Sequence, residues 1–485
     1  MSGAAHETSQ LLRDQEHGDS AHVPGDRQEA VLSKEDRSHP RDWPQWKKLS
    51  NIAVIASMSI LSPLASSIFT PGIDRIAESL HATNSAVIAC QTGFVIMLGV
   101  GPLLLAPLSE TFGRKPLYLI CFTIFALLQI PTALAPSLPF LITVRTLAGF
   151  FGSIGIANGG GTISDMYGPT ERAGIFGWYL LGPLLGPTIG PLLGGVVMEN
   201  LEWPWLFWIL FIICSVVVAG ALFFLRETYV PVLLAQRKKQ LERIEGGNYF
   251  FQDESEEPLS TILVHSIQRP MRILFTQPIV IAMATYQALI FATTYSLYTQ
   301  FQAIYGEKYG FNTLQVGLVY LGPGLGFLTA VWFLVPRIDT VYKKLAKKHG
   351  GAKPEYRLPL ANIGAVLIPI SLFWFAWTVE LHTHWFVSIA ATFFYGIGQV
   401  VIFNSVQNYY IDTFEKYAAS AVAAGALFRN LVGGVVPMLT SMLLEKYGVG
   451  WGLSLFAFLG VVLAPIPVVF WYYGEFLRER FAIVL

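Results

Sequence analysis

The stretch Pro107-Leu108-Ser109-Glu110-Thr111-Phe112-Gly113-Arg114-Lys115 returns, without a gap, as Pro336-Arg337-Ile338-Asp339-Thr340-Val341-Tyr342-Lys343-Lys344. Both copies obey P-x-x-[DE]-T-x-x-[RK]-K, and they lie 229 residues apart. Each follows the second long apolar run of its half of the chain. A charged loop repeated at half the chain length, between apolar runs, marks two copies of one multi-helix unit. Two such halves, related by an axis along the membrane normal with a site between them, are an arrangement of secondary transporters. The repeat thus predicts an all-α membrane protein of two pseudo-symmetric six-helix bundles.

The surrounding sequence is that of a chain dissolved in lipid. Of its 485 residues, 53% are hydrophobic, 14% aromatic and only 13% charged, whereas a soluble domain carries about 25% charged residues. Half the usual charge cannot cover three soluble domains of roughly 150 residues, the count that length alone would suggest. Apolar runs of 18 residues or more predict six spans at 50–70, 86–107, 117–136, 139–164, 172–198 and 204–225. Six more follow at 277–301, 313–336, 358–380, 384–411, 417–444 and 451–474. The chain then divides into an N-terminal tail over 1–48, expected to be disordered, and a bundle over 49–225. A charged linker over 226–275, a second bundle over 276–474 and a C-terminal tail over 475–485 complete it. No apolar stretch near Met1 suggests a signal peptide. Cys90, Cys121 and Cys214 all fall inside apolar runs, which predicts buried thiols and no disulfide framework.

Lys and Arg give the predicted orientation. With a cytosolic N-terminus, 27 of the 32 lie in the tails and in the loops on the tails' side. Arg75, Lys308 and Lys446 lie on the other side, and Arg145 and Arg429 lie inside spans. Both termini are therefore expected in the cytosol. Trp203, Trp205, Trp377, Trp385 and Trp451 then fall at the outer headgroup level, where aromatic anchors belong. Lys+Arg and Asp+Glu balance at 32 each, so bulk charge points to no nucleic acid.

Several motifs carry a family resemblance. Ala106-Pro107-Leu108-Ser109-Glu110-Thr111-Phe112-Gly113-Arg114-Lys115 resembles the loop signature G-x-L-a-D-r-x-G-R-K of the major facilitator superfamily, with Ala106 for the leading Gly and Glu110 for the usual Asp. Arg145-Thr146-Leu147-Ala148-Gly149 resembles the signature R-x-x-x-G of its fourth helix. Gly186-Pro187-Thr188-Ile189-Gly190-Pro191-Leu192-Leu193-Gly194-Gly195 is similar to the fifth-helix antiporter signature G-x-x-x-G-P-x-x-G-G. Glu227-Thr228-Tyr229-Val230-Pro231 and Pro354-Glu355-Tyr356-Arg357-Leu358-Pro359 resemble cytosolic segments of the fungal twelve-spanner drug:proton antiporter group. The resemblance runs from about Trp43 to Glu475. It implies twelve spans, exchange of solute against protons, and span 8 as the partner of the glycines in span 5.

Read physically, Gly182, Gly186, Gly190 and Gly194 form one flat stripe that lets another backbone come close. Pro183, Pro187 and Pro191 remove backbone donors, and the carbonyls so freed need partners inside lipid. A plain packing seam explains the stripe as well as a coupling role does. Glu110, Gly113, Arg114 and Lys115, with Asp165 at the end of span 4, are expected to form a cytosolic latch between the halves. Simple positive-inside anchoring would account for Arg114 and Lys115 but not for the carboxylates.

A charge inside the bilayer costs about 2.5–3.5 kcal/mol or more and usually faces a cavity. Arg145 and Arg429 are therefore the first substrate-binding candidates. Asn404, Gln407 and Asn408 share one face of span 10. Tyr286 and Gln287 in span 7, Gln91 in span 2 and Asn158 in span 4 complete the set. An interhelical hydrogen bond is the plainer role for any single amide. No Asp or Glu falls near the middle of a span. Proton coupling would then fall to Glu110, Asp165 or Asp412, to a histidine, or to the solute itself. Two arginines without facing acids favour an anionic or carbonyl-rich solute.

Other function classes fit poorly. No G-x-x-x-x-G-K-[ST] is present to cradle ATP phosphates, the nine histidines are scattered, and no metal-ligand spacing occurs. An enzyme, a cofactor and a metal are not expected. Short turns between spans 3–4, 5–6 and 9–10 leave no outer domain for a protein ligand. The sequence predicts a secondary active carrier that works as a monomer by alternating access about the 2–11 and 5–8 seams. It would export a xenobiotic or secondary metabolite, with a small organic acid as the alternative cargo and an exporter or facilitator as the alternative mode. With no organelle address, the plasma membrane is the default site.

Overall fold

The computed structural model describes residues 27–29, 39–245, 248–250, 258–414 and 417–481. Nearly every described residue is helical, as a backbone in lipid requires. Helix 1 is Gln45–Ser67, helix 2 Asn84–Phe112 and helix 3 Arg114–Ala133. Helix 4 is Leu138–Gly152 continued as Ile154–Met166, helix 5 Pro169–Asn200 and helix 6 Pro204–Phe224. In the second half, helix 7 is Pro278–Phe301 with a π-helical extension Gln302–Lys308. Helix 8 runs from Thr313 to His349 through several breaks, one of them π-helical at Ala330–Leu334. Helix 9 is Ala361–Glu380 and helix 10 Trp385–Thr413.

Helices 11 and 12 follow one another so closely that the segment Ala418–Leu463 reads as one element. It is broken at Gly448, where φ is 74° and ψ 171°. Glycine alone adopts that conformation cheaply. Glu380, at the end of helix 9, accepts a 3.0 Å hydrogen bond from the Gly450 N–H and so caps the start of helix 12. Past Leu463 helix 12 resumes as Ile466–Arg480. The spans read from hydropathy match these helices to within a few residues, except that helix 8 continues past 336 to His349 as a charged amphipathic extension.

The packing repeats the sequence symmetry. Helix 1 packs on 5, 2 on 4 and 3 on 6; in the second half 7 packs on 11, 8 on 10 and 9 on 12. Among the described residues the main contacts between the bundles are helix 2 against 11 and helix 5 against 8, and the end of helix 1 also meets helices 7 and 8. One apolar core draws on Ile55 to Leu225 and a second on Ile273 to Phe470, and a smaller cluster on helices 8 and 10 takes Leu184 and Leu185 of helix 5 against it at the seam. Two separate cores let each bundle move as a rigid body. Large apolar side chains such as Val216, Phe223 and Val462 stay exposed, which suits a lipid-facing surface.

Within the tail and linker, Arg27–Glu29 pairs in parallel with Asn248–Phe250. Helix 1 begins at Gln45, inside the stretch read as tail, and most of the tail lies outside the described residues. The linker also contains helices Val230–Glu245 and Leu259–Thr276. The second of these packs on helix 2 and on the helix 11–12 segment. The chain ends and the linker share one face, the tail face, opposite the far face.

Candidate transport site

The two intramembrane arginines have opposite surroundings. Arg145, on helix 4, is 0% exposed. Its Nη2 donates to the carbonyls of Ala65 at 2.8 Å and Ser66 at 3.4 Å, in the last turn of helix 1. A cation at a helix C-terminus satisfies carbonyls that lack intrahelical partners. The rings of Phe94, Phe69 and Phe207 surround the guanidinium at 4.6, 5.0 and 5.4 Å. Arg145 thus lies inside the N-terminal bundle, among helices 1, 2, 4 and 6.

Arg429 is partly exposed. Its guanidinium sits 5.1 Å from the ring centre of Phe291 on helix 7 and 5.1 Å from that of Phe403 on helix 10. Its Nε is buried without a hydrogen-bond partner. Among the described residues no carboxylate lies within ion-pair distance of it. The lipid-facing stripe of helix 11, Leu431, Val435, Leu439 and Met442, is exposed. Arg429 projects roughly 200° around the helix from Leu431, so it points into the protein.

Gln287 and the amides of helix 10 lie on elements that adjoin Arg429. Gly425, one turn before it, leaves room for Gln287: a Cβ there would sit 3.5 Å from Gln287 Oε1 and 3.0 Å from the ring of Tyr410. The Gln287 Nε2 and the neighbouring Tyr286 hydroxyl are buried without partners. Asn404, Gln407 and Asn408 are partly exposed on the side of helix 10 that carries Phe403. Asn408 Nδ2 donates to Asn404 Oδ1 at 2.8 Å, which preorganises that pair. Gln91 and Asn158 are not part of this group. Both are buried in the N-terminal bundle, with side-chain nitrogen and oxygen unpartnered. Sequence reading missed Phe291 and Phe403, because a phenylalanine in a membrane span carries no signal of its own.

Hydrogen bonds between the bundles cluster, among the described residues, toward the far face. Ser66 pairs with Tyr295 at 3.2 Å, Thr70 with Tyr320 at 3.0 Å and Thr188 with Tyr298 at 3.0 Å. Thr92 donates to the Gly434 carbonyl at 2.7 Å. At the rim, Glu199 accepts from Asn312 Nδ2 at 3.2 Å, and Arg75 donates to Thr313 at 3.3 Å.

The glycine stripe of helix 5 has a different partner from the one expected. Gly186 and Gly190 face the backbone of helix 1: a Cβ on either would lie 2.8 Å from the Ile60 carbonyl or 2.5 Å from that of Leu64. Gly182 and Gly194 meet the same helix. Pro191 cannot donate to the Pro187 carbonyl, and the Ser67 hydroxyl of helix 1 donates to it instead, at 2.9 Å. Helix 8 meets a neighbouring stripe. A Cβ at Gly195 would lie 2.8 Å from the Thr313 carbonyl, one at Gly317 3.0 Å from the Pro191 carbonyl, and Thr188 faces Gly324.

At the tail face the repeated loops hold matching charge clusters. Arg114 is buried; its Nε donates to Asp165 at 3.3 Å and its Nη1 to Ser109 at 2.6 Å, and Glu110 lies 3.5 Å away. Glu227 accepts from the backbone N–H groups of Arg114, Lys115 and Thr228 at 3.0 Å and of Tyr229 at 2.9 Å. It thereby caps helix 3 from 113 residues away in sequence. A side chain at Gly113 would collide with this carboxylate, and φ there is 101°. In the second half, Arg357 bridges Asp412 at 2.8 Å and Asp339, although it comes from the P-E-Y-R segment and not from the repeat. These ion pairs stay within their own half; the predicted latch across the halves is not formed in this state.

Comparison with known proteins fits this architecture. The MFS-type transporter tndD of Aspergillus flavipes is 37% identical over 92% of this chain and 84% of its own length. The efflux pump radE of Floropilus chiversii is 36% identical over the same shares. Among solved structures, a partially occluded inward-open conformation of the E. coli xylose transporter XylE superposes with a TM-score of 0.63. The likeness covers 88% of this chain and 98% of that one and, at 15% identity, concerns the fold alone. The family profile described as Major Facilitator Superfamily matches residues 55–437. The chain is a multi-pass membrane transporter of the Major Facilitator Superfamily.

Proposed function

We propose that this transporter exports a small organic solute, a xenobiotic or a fungal secondary metabolite, by alternating access. The observation that carries this reading is the set of tyrosine hydroxyl bonds across the far half, above the partly exposed Arg429 and amides of helix 10. A solute in that position has its path to the far face closed. The tail face is the cytosolic one, on the 27-to-3 division of Lys and Arg, and the protein works as a monomer in the plasma membrane. Rocking about the 2–11 and 5–8 seams then opens the far face. The Glu110–Arg114–Asp165 cluster closes the cytosolic side in the opposite state, with Lys115 at the membrane surface.

Protons are the proposed counter-ion, taken by the carboxylates at the cytosolic rim, since no span carries an acid near its middle. Names of relatives such as "efflux pump" support the direction. A small organic acid is the alternative cargo, favoured by Arg429. The test compares culture medium and cells with and without the gene, followed by flux into vesicles with and without a protonophore. Equal metabolite profiles would refute export; protonophore-insensitive flux would replace antiport by facilitated release.

A further inference from the structure

We infer that the cargo carries a delocalised oxyanion, a carboxylate or an ionised 1,3-dicarbonyl, on an apolar body, and that Arg429 binds it. The argument rests on the exporter reading and on the contrast between the two intramembrane arginines. At Arg145 the chain encloses the guanidinium completely, gives Nη2 two carbonyls and packs three phenyl faces around it, although Nε and Nη1 have no acceptor, so no ligand can reach the group. At Arg429 it supplies two phenyl faces and no acceptor for the buried Nε, and the side chain is partly exposed, so a ligand can reach it.

Cation–π contact does not saturate the planar edge of a guanidinium, which offers parallel N–H donors to an oxyanion. A charge in so apolar a setting is costly unless something completes it. Phe291 and Phe403 fix the guanidinium plane, and both rings are partly exposed, so an apolar body can rest on their edges. The Gln287 Nε2, unpartnered on the adjoining helix 7 with its side chain beside Gly425, one turn from Arg429, is a donor for a second oxygen. A cationic solute would meet this arginine as a like charge. A neutral ester would lose the paired hydrogen bonds.

The test uses the purified full chain and three matched probes: 1-naphthoate, its methyl ester and 1-naphthylmethylamine. Binding is read by quenching of tryptophan fluorescence and by thermal shift, and efflux of the same probes is followed in cells. Naphthoate should bind more tightly than the ester or the amine. Arg429→Gln should weaken naphthoate by about 10–100-fold and leave the ester unchanged. Arg429→Lys, which keeps the charge but not the paired donors, should fall between; it also serves if the Gln variant does not fold. If the ester or the amine binds as well as naphthoate, or if naphthoate binding survives Arg429→Gln, the inference falls. Efflux of ester or amine without efflux of the acid would overturn it while leaving the exporter reading standing. Efflux of none of the three by cells carrying the protein would sink both.

Discussion

A buried arginine in a span invites one reading, yet Arg145 and Arg429 do different work. Arg145→Ala removes a helix C-cap and a large side chain packed among three rings. It should cost about 3–5 kcal/mol, seen as loss of monodisperse protein and a lower melting temperature. Arg429→Ala should leave the melting temperature within a few degrees and abolish export. Equal stability loss in both would refute the distinction. Sequence alone could not make it, because the Ala65 and Ser66 carbonyls lie 80 and 79 residues from Arg145. Glu227 was equally hard to read. It stands just beyond helix 6, and only the folded chain brings it to the N-terminus of helix 3. Glu227→Ala should destabilise by about 1–3 kcal/mol, measured by thermal denaturation, with Glu227→Gln milder because one oxygen can still accept.

At the scale of the helix, hydropathy and glycine spacing told most of the story, and their limits are physical. A run of apolar residues specifies a span wherever lipid is the solvent, so the twelve helices were readable. Glycine at every fourth place of helix 5 announces a close approach but not by whom. The stripe meets helix 1 inside its own bundle, while Thr188, Pro191 and Gly195 meet helix 8. Two substitutions five residues apart should therefore act differently. Gly190→Leu drives a side chain into the Leu64 backbone and should prevent assembly of the N-terminal bundle, seen as loss of folded protein. Gly195→Leu wedges the seam against Gly317 at the far end and should leave the fold intact. Far-face closure would fail, and cysteines placed at that face would react faster with a membrane-impermeant thiol reagent. The break between helices 11 and 12 is also local: Gly448→Ala forces a side chain into positive φ at a cost of about 1–2 kcal/mol.

For the whole molecule, the internal repeat foretold two bundles, but which end they close against could not be read from it. That depends on a few hydroxyls spread over helices 1, 5, 7 and 8, none of which forms a motif. Two separate apolar cores leave the bundles free to rock, so the balance between states rests on these contacts and on the two seams. Replacing Tyr295, Tyr298 and Tyr320 together by Phe keeps the rings and removes the bonds to Ser66, Thr188 and Thr70. At roughly 0.5–1.5 kcal/mol for each hydrogen bond, the triple variant loses about 1.5–4.5 kcal/mol of far-face closure. A change of that size moves a two-state population by a factor of about 10 to 10³. Distances between spin labels on helices 1 and 7 near the far face should lengthen in the variant, and those at the tail face should shorten. The melting of the N-terminal bundle should stay unchanged, while that of the C-terminal bundle should fall slightly, because the Tyr320 hydroxyl also donates to the Tyr298 carbonyl. If the label distances do not change, far-face closure is held by the seams and by the Thr92, Glu199 and Arg75 contacts, and the tyrosines are only packing.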